Sequence, residues 1–188
     1  MNVLIKQAKI IFPKSELHDQ TKDILIKNGV IEKIGSNIKD EKAKLIKSKN
    51  LHISIGWTDI GTNCGEPGFE HRESLDSLNA CAASGGYTAV AIFPNSEPTI
   101  DNKSSVQYII NATSDNLVDF HPVGALSKNC AGEEITEMMD MAQNGAVAFS
   151  DGQKSIHSNG LLLRGLEYVK SIDAVSYTHL TLPTTPYV

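Results

Sequence analysis

The sequence predicts an α/β protein, in which a small antiparallel β segment precedes strands and helices in alternation. Three observations carry this prediction. An Asn28-Gly29 pair separates two runs rich in β-branched residues. After Trp57, short apolar runs recur about every 30 residues, the length of a βαβ unit, and the residues between them follow helical spacing. Parallel strands must be covered on both faces, so a (β/α) barrel or a doubly wound sheet is expected.

Residues 1–54 are predicted to form the small β segment. The Asn28-Gly29 pair favours a two-residue hairpin turn, because both central residues of a type I′ turn need positive φ. The resulting antiparallel sheet, or half-sandwich, is too thin to be stable alone. The candidate strands are Val3–Ile5, Ala8–Phe12, Asp23–Lys27, Val30–Ile34, Leu45–Ile46 and Leu51–Ile55.

Residues 55–173 are predicted to form about four βα units, which is half of an eight-unit barrel of ~250 residues. The third helix should bury Ile135, Met138, Met139 and Ala142, which have the spacing of one helix face. The predicted strands are Trp57–Ile60, Thr88–Phe93, Val118–Val123 and Ala146–Phe149, and the predicted helices are Glu70–Ser84, Lys103–Ala112, Glu133–Gln143 and Leu161–Ile172.

Residues 174–188 break this pattern. They contain no Lys, Arg, Asp or Glu and continue neither a helical nor a strand period. The string from Val175 to Thr184 resembles translated sequencing adapter, so we interpret these residues as a non-native tail and exclude them from the fold prediction. The alternative is a genuine threonine-rich strand, and the sequence of the native gene beyond Asp173 distinguishes the two.

Composition excludes several function classes. The net charge is −5 and aromatic residues make up 6% of the chain, which argues against a nucleic-acid partner. No run approaches the ~20 apolar residues of a membrane helix, and the N-terminus lacks the apolar core of a signal peptide. Three widely spaced cysteines form no disulfide framework and no zinc knuckle. A cytoplasmic protein is expected.

The most informative segment is Asp59 to Gly68, which reads Asp-Ile-Gly-Thr-Asn-Cys-Gly-Glu-Pro-Gly. It resembles the signature loop of dihydroorotases, of the amidohydrolase superfamily, which reads Asp-x-His-x-His-x-Arg-Glu-Pro-Gly. The resemblance implies the barrel rather than the doubly wound sheet. It places the two metal-binding histidines at Gly61 and Asn63 and the substrate-binding arginine at Gly65. Glycine has no donor atom, and an amide is a far weaker zinc ligand than imidazole.

Later segments extend the resemblance. Pro94-Asn95-Ser96 resembles a family segment whose asparagine contacts the substrate carboxylate, which implies a substrate-binding role for Asn95; the alternative is a turn-forming asparagine. Phe149-Ser150-Asp151-Gly152 resembles a segment with a metal-binding aspartate, which implies the same role for Asp151. A lone carboxylate before glycine is more often a turn or helix cap. Hydantoinases and allantoinases share the fold but match the Glu-Pro-Gly loop less well.

The histidines do not restore a metal site. His18, His52, His71, His121 and His157 are scattered, His179 lies in the tail, and no pair has the His-x-His or His-x-x-x-His spacing of shared metal ligands. The chain also lacks the Gly-rich nucleotide-binding motifs and the Gly-x-Ser-x-Gly elbow. No nucleotide or nucleophilic-serine chemistry is therefore predicted.

Two functional hypotheses follow from the resemblance. The family hydrolyses the cyclic amide of dihydroorotate in pyrimidine synthesis with zinc-bound hydroxide, and its catalytic aspartate and further histidines would lie beyond this chain. The first hypothesis is an active cyclic amidohydrolase with a reduced metal site that includes Asp151. The second is a homologue, with little metal or none, that serves as a scaffold, for example for aspartate transcarbamoylase, and self-association is left open. The replaced ligands favour the second.

Overall fold

The computed structural model describes residues 2–177, and its chain divides into two compact units between Ile55 and Gly56. Most of the predicted tail, residues 178–188 with His179, lies outside the described residues. No helix in the described part of the chain is long and apolar enough to cross a membrane.

The first unit is a five-stranded sheet. Its strands are β1 (Asn2–Ile11), β2 (Thr21–Lys27), β3 (Val30–Gly35), β4 (Lys44–Lys47) and β5 (His52–Ser54). The order is β3-β2-β1-β4, with β5 also paired to β1. Among its described residues, the buried cluster is small and contains Leu4, Leu25 and Ile38 with partly buried Ala43, as expected for a thin sheet.

The predicted hairpin is confirmed, and the predicted antiparallel pairing holds for β1, β2 and β3 but not for every strand of the unit. β2 and β3 pair antiparallel across Asn28 (φ 50°) and Gly29 (φ 80°), the positive angles that a type I′ turn requires. β4 and β5, however, pair parallel to β1. The two predicted runs in 3–12 form the single strand β1, which contains a bulge between Ile5 and Ala8.

Asp23 holds this bulge in place. Its carboxylate accepts hydrogen bonds from the backbone N–H groups of Gln7 and Ile38, each at 3.0 Å, and pairs with the ammonium group of Lys6. Burial opposes the charge on Asp23, but the hydrogen bonds from Lys6, Gln7 and Ile38 outweigh it and lower the pKa of the carboxyl. The charge on Asp23 therefore stabilises the folded unit.

The second unit alternates strands and helices throughout. The strands are β6 (Trp57–Thr62), β7 (Tyr87–Ile92), β8 (Asp119–Gly124) and β9 (Ala148–Phe149), and the helices are α1 (Leu75–Ser84), α2 (Lys103–Ala112), α3 (Met138–Gln143) and α4 (Asn159–Ser171), with a short 3₁₀ turn at Lys128–Cys130. All strand pairs are parallel and follow chain order, β6-β7-β8-β9. A doubly wound sheet reverses its order at a switch point, whereas a barrel does not. The unit is therefore the first half of a (β/α)8 barrel.

Two helices begin later than predicted. The predicted helix Glu70–Ser84 begins at Leu75, because Ser74 and Ser77 form a reciprocal capping box there. The predicted helix Glu133–Gln143 begins at Met138. The preceding residues pair with the loop after β8 instead: Thr136 Oγ1 donates to the carbonyl oxygen of Ala125 at 2.6 Å, and Ile135 forms a bridge with Ser127. These tertiary contacts override the local helix propensity of residues 133–137.

The shift in α3 also changes which side chains it buries. Met138 and Met141 are fully buried, whereas Met139, predicted to face the core, is 45% exposed. In α2, Val106 and Ile109 are fully buried and Ile110 packs against the same core. The main cluster lies between the sheet and its helices and includes Val90, Ile92, Phe120, Leu126, Phe149 and Val169.

Candidate site at the carboxyl ends of the barrel strands

The four loops that follow β6, β7, β8 and β9 lie at one edge of the sheet, because their strands are parallel. In a (β/α) barrel this edge carries the functional residues. Three of the site residues predicted from the sequence, Asn63, Asn95 and Asp151, lie in these loops, and Gly61 lies at the end of β6. The contacts of each show what the edge can bind.

Gly61 and Asn63 offer little to a metal. The backbone N–H of Gly61 donates to Asp59 Oδ1 at 3.0 Å, so this carboxylate within β6 bonds to the backbone two residues further on. Asn63 is exposed, and it supplies an amide where an imidazole would be needed. These two positions therefore provide no strong zinc ligand.

The loop at Gly65 cannot accept a larger residue in its present form. The backbone N–H of Phe69 donates to the carbonyl oxygen of Gly65 at 2.7 Å, which folds residues 65–69 into a tight turn. A Cβ atom on Gly65 would lie 2.7 Å from the carbonyl oxygen of Glu73 and closer still to that of Phe69. Because both obstacles are backbone atoms, an arginine at this position requires a different loop.

Glu66 serves the fold of this loop. One carboxylate oxygen accepts from the backbone N–H of Leu75 at 2.9 Å, at the first turn of α1, and the other accepts from the Tyr108 hydroxyl on α2 at 3.0 Å. A carboxylate at a helix N-terminus is favoured by the helix dipole. The bond to Glu66 raises the pKa of Tyr108. Glu66 thus connects the opening loop, residues 59–68, to two helices.

Asp151 is 1% exposed, and both of its carboxylate oxygens are engaged by the loop after β8. Oδ1 accepts from the backbone N–H groups of Leu126 at 2.9 Å and Ser127 at 2.8 Å, and Oδ2 accepts from the Ser127 hydroxyl. Three donors leave few lone pairs free for a cation. The contacts support the structural alternative for Asp151, and its metal-binding role stays a prediction.

Asn95 is half-buried and bonds to the loop after β9. Its Nδ2 donates to the carbonyl oxygen of Asp151 at 3.1 Å, and its Oδ1 accepts from the backbone N–H of Gln153 at 3.1 Å. One amide hydrogen remains available to a ligand. Asn95 and Asp151 together link three consecutive loops, and the substrate-binding role of Asn95 stays a prediction.

The cysteines close to this edge are held as thiols. Burial raises the pKa of Cys64, in the opening loop, and burial together with the charge of Asp151 raises the pKa of Cys130 to about 12. Since a cysteine binds zinc as the thiolate, neither group is prepared to replace the missing imidazoles. Across residues 2–177, no three His, Cys, Asp or Glu side chains gather in a way that could hold a metal ion. The residues present do not fit the family's zinc centre.

The same edge contains a polar cavity of about 260 Å³. Sequence reasoning missed one residue in it, Arg72, whose guanidinium carbon lies 4.9 Å from the centre of the Phe69 ring. The sequence signals were that Arg72 is one of two arginines in the chain and that it follows the signature loop. The described lining residues are Asn63, Cys64, Gly65, Phe69, Arg72, Glu73, Asn95 and Gln153.

Comparison with known proteins places these features in context. A family model described as "Dihydro-orotase-like" matches residues 53–181. The chain is 34% identical over 180 residues to a dihydroorotase of Ruminiclostridium cellulolyticum and 36% identical over 178 residues to one of Acetivibrio thermocellus. These alignments cover 95% and 94% of this chain but 42% of each relative. The chain therefore spans less than half the length of these curated relatives.

Solved structures show the same fold at low identity. An L-hydantoinase from Arthrobacter aurescens superposes with a TM-score of 0.72 at 21% identity, covering 94% of this chain and 40% of its own. A D-hydantoinase superposes with a TM-score of 0.75 at 21% identity, covering 95% of this chain and 40% of its own. A dihydroorotase superposes with a TM-score of 0.68 at 13% identity, covering 99% of this chain and 52% of its own. The barrel architecture is shared, and these structural similarities do not distinguish a hydantoinase from a dihydroorotase.

Proposed function

Because this chain belongs to the dihydroorotase-like family, we propose that it is part of a dihydroorotase homologue of pyrimidine biosynthesis that lacks the family's metal chemistry and is not catalytic. The observation that supports this proposal most is the opening loop. Gly61 and Asn63 occupy the positions that the resemblance assigns to the metal-binding histidines. Glycine has no ligand atom to offer, and an amide is a poor substitute for imidazole.

Two further features support the interpretation that this edge of the sheet no longer binds metal. The backbone around Gly65 is closed against any side chain, so the loop does not merely lack an arginine. The carboxylate of Asp151 is directed at backbone N–H groups of the neighbouring loop. Both features are those expected of an edge maintained for its structure.

We propose a scaffold role for the complete protein, with aspartate transcarbamoylase as the partner and self-association as a second possibility. The partner comes from the family resemblance, and no residue of this chain is assigned to it. We place the protein in the cytoplasm, and the three free cysteines of the described chain fit a reducing compartment. Co-purification from cells with a tagged copy tests the partner, and a sedimentation measurement tests self-association.

The second candidate is an active cyclic amidohydrolase. It is favoured by the curated relatives, which are named dihydroorotases and align with most of this chain. In this case the remaining part of the protein must supply the ligands that the opening loop lacks. Hydrolysis of dihydroorotate by the complete protein, assayed with and without added zinc and beside a relative with the His-x-His motif, separates the two. We expect no turnover above the uncatalysed rate, and zinc-dependent turnover contradicts the proposal.

A further inference from the structure

The strand β4 lies at one edge of the sheet of the first unit. Within the described residues it pairs with β1 alone, and none of the backbone hydrogen bonds outside the strand ladders involves residues 44–47. All four of its residues are exposed, including the apolar Leu45 and Ile46, whose exposed fractions are 60% and 40%. The outer side of β4 therefore offers backbone N–H and C=O groups and two apolar side chains to another strand.

The charge on this edge is positive and is not balanced by nearby acids. Residues 39–49 include five lysines and two acids, which gives this segment a net charge of +3. Among the ion pairs of the described chain, none includes Lys44 or Lys47. The strand at the other end of the sheet, β3, contains one acid and one lysine, Glu32 and Lys33. The positive edge is therefore a property of β4 and not of the whole sheet.

The order of the residues in β4 places one lysine and one apolar residue on each face of the strand. Successive side chains of a strand point to opposite faces, so Leu45 and Lys47 share one face and Lys44 and Ile46 share the other. A partner strand that matches both faces has the order acidic, apolar, apolar, acidic, in whichever direction it runs. A second copy of β4 in full register would instead place lysine opposite lysine, which destabilises strand pairing.

We propose that β4 binds an extended acidic segment of a partner protein by strand addition. The carboxylates of this segment lie opposite Lys44 and Lys47, and its apolar side chains lie opposite Leu45 and Ile46. Backbone hydrogen bonds provide the affinity, and the side-chain pairs provide the specificity. The repulsion between two copies of β4 leaves the edge available to the acidic partner.

This proposal is independent of the proposed function. The family resemblance assigns no role to residues 44–47, and strand addition requires neither a bound metal nor turnover. The partner is defined by its chemistry alone, which is an extended segment with two carboxylates separated by two apolar residues.

The test is fluorescence anisotropy of dye-labelled peptides titrated with the complete purified protein. The matched peptide, Thr-Glu-Val-Val-Glu-Thr, is compared with Thr-Val-Glu-Glu-Val-Thr, which has the same composition and charge but places its carboxylates opposite Leu45 and Ile46. We expect saturable binding of the matched peptide and at least roughly fivefold weaker binding of the rearranged one, because its charged cross-strand pairs are lost. N-methylation of both valines should also abolish binding, because it removes backbone donors that strand addition requires.

Two double variants locate the binding surface. Lys44→Glu with Lys47→Glu should weaken binding of the matched peptide at least roughly fivefold and should create binding of Thr-Lys-Val-Val-Lys-Thr, which also shows that the variant is folded. Lys14→Glu with Lys33→Glu makes the same change in net charge at exposed positions and should leave the affinity unchanged. Higher salt should weaken the matched complex, because exposed charges are screened.

Several outcomes would overturn the proposal. The first is that the matched peptide does not bind, as when the remainder of the complete protein already covers β4. Others are that the rearranged peptide binds equally well, that the two double variants have the same effect, or that an oligothymidylate of equal charge binds β4 as tightly. Self-association that the change at Lys44 and Lys47 disrupts would assign the edge to a second copy instead. None of these outcomes bears on metal content or turnover, which test the proposed function separately.

Discussion

The carboxylate of Asp151 accepts hydrogen bonds from both the backbone N–H and the hydroxyl of Ser127, and so joins the loop after β9 to the loop after β8. The same loop after β9 is bonded through its backbone to the side chain of Asn95, in the loop after β7. Three loops at the carboxyl ends of neighbouring strands are therefore held by two polar side chains. This network engages both carboxylate oxygens of Asp151 and leaves one amide hydrogen of Asn95 without a protein partner.

Asp151→Asn should destabilise the second unit. The change keeps the shape but removes the charge that two backbone N–H groups and a hydroxyl now bond, and it places an NH₂ group against those donors. Hydrogen bonds to a buried charge are worth about 1.5–3 kcal/mol, so we expect a loss in that range. Urea unfolding followed by fluorescence measures it. Asp115→Asn, at an exposed position, is the control, and equal stability of the two variants would refute a structural role for Asp151.

Gly65→Ala should also destabilise the protein, although alanine is the smallest possible addition. Its Cβ atom would collide with the backbone carbonyl groups of Phe69 and Glu73, which cannot move without opening the loop. Gly160→Ala is a matched control, because nothing lies within 4 Å of the added atom and the residue is in α4. In Gly160→Ala the free energy of unfolding should be unchanged or should rise by up to about 1 kcal/mol. Thermal unfolding of both variants compares them, and an unaffected Gly65→Ala protein would show that the loop is less constrained than described.

The first unit should lose stability in acid through Asp23. The pKa of Asp23 is below its ordinary value of 3.8 in the folded state, so folding favours the charged form. The stabilisation is present above pH 3.8 and is lost as the pH falls from there through the folded-state pKa. Asp23→Asn should remove this part of the pH dependence, whereas Glu41→Gln, at an exposed position, should not. Urea unfolding at several pH values between neutrality and pH 3 measures the difference, and identical pH profiles for wild type and Asp23→Asn would exclude the assignment.

The three cysteines should differ in reactivity towards a thiol reagent. Cys81 is exposed, whereas Cys64 and Cys130 are buried, and burial raises the pKa of both buried thiols, that of Cys130 to about 12. Because the thiolate is the reactive form, native protein at pH 8 should lose one equivalent of thiol quickly and the others only on unfolding. Cys81→Ser should remove the fast equivalent. Rapid labelling of Cys64 in the native protein would contradict the described packing of the opening loop.

Much of the fold could be predicted from the sequence because the relevant signals are local. The Asn28-Gly29 turn and the helix Lys103–Ala112 depend on neighbouring residues, and both are confirmed. The signature loop likewise identified the family, and its altered positions 61, 63 and 65 are visible in the sequence itself.

What the sequence could not give depends on contacts between distant residues. Residues 133–137 have helical spacing, yet Ile135 and Thr136 bond to the loop after β8 and the segment is not helical. The roles of Ser127 as the partner of Asp151 and of Arg72 at the cavity required the arrangement of four loops. The parallel pairing of β4 and β5 also depends on long-range pairing with β1, which no local pattern encodes.

Zinc stoichiometry tests most directly whether β6 and the loop that follows it can form a metal site. Elemental analysis of the complete purified protein should be compared with that of the double variant Gly61→His, Asn63→His, both dialysed against the same zinc buffer. The account predicts no stoichiometric zinc in the unmodified protein, and extra zinc only where the imidazoles have been added. Two zinc ions per chain in the unmodified protein, unaffected by the two substitutions, would contradict it.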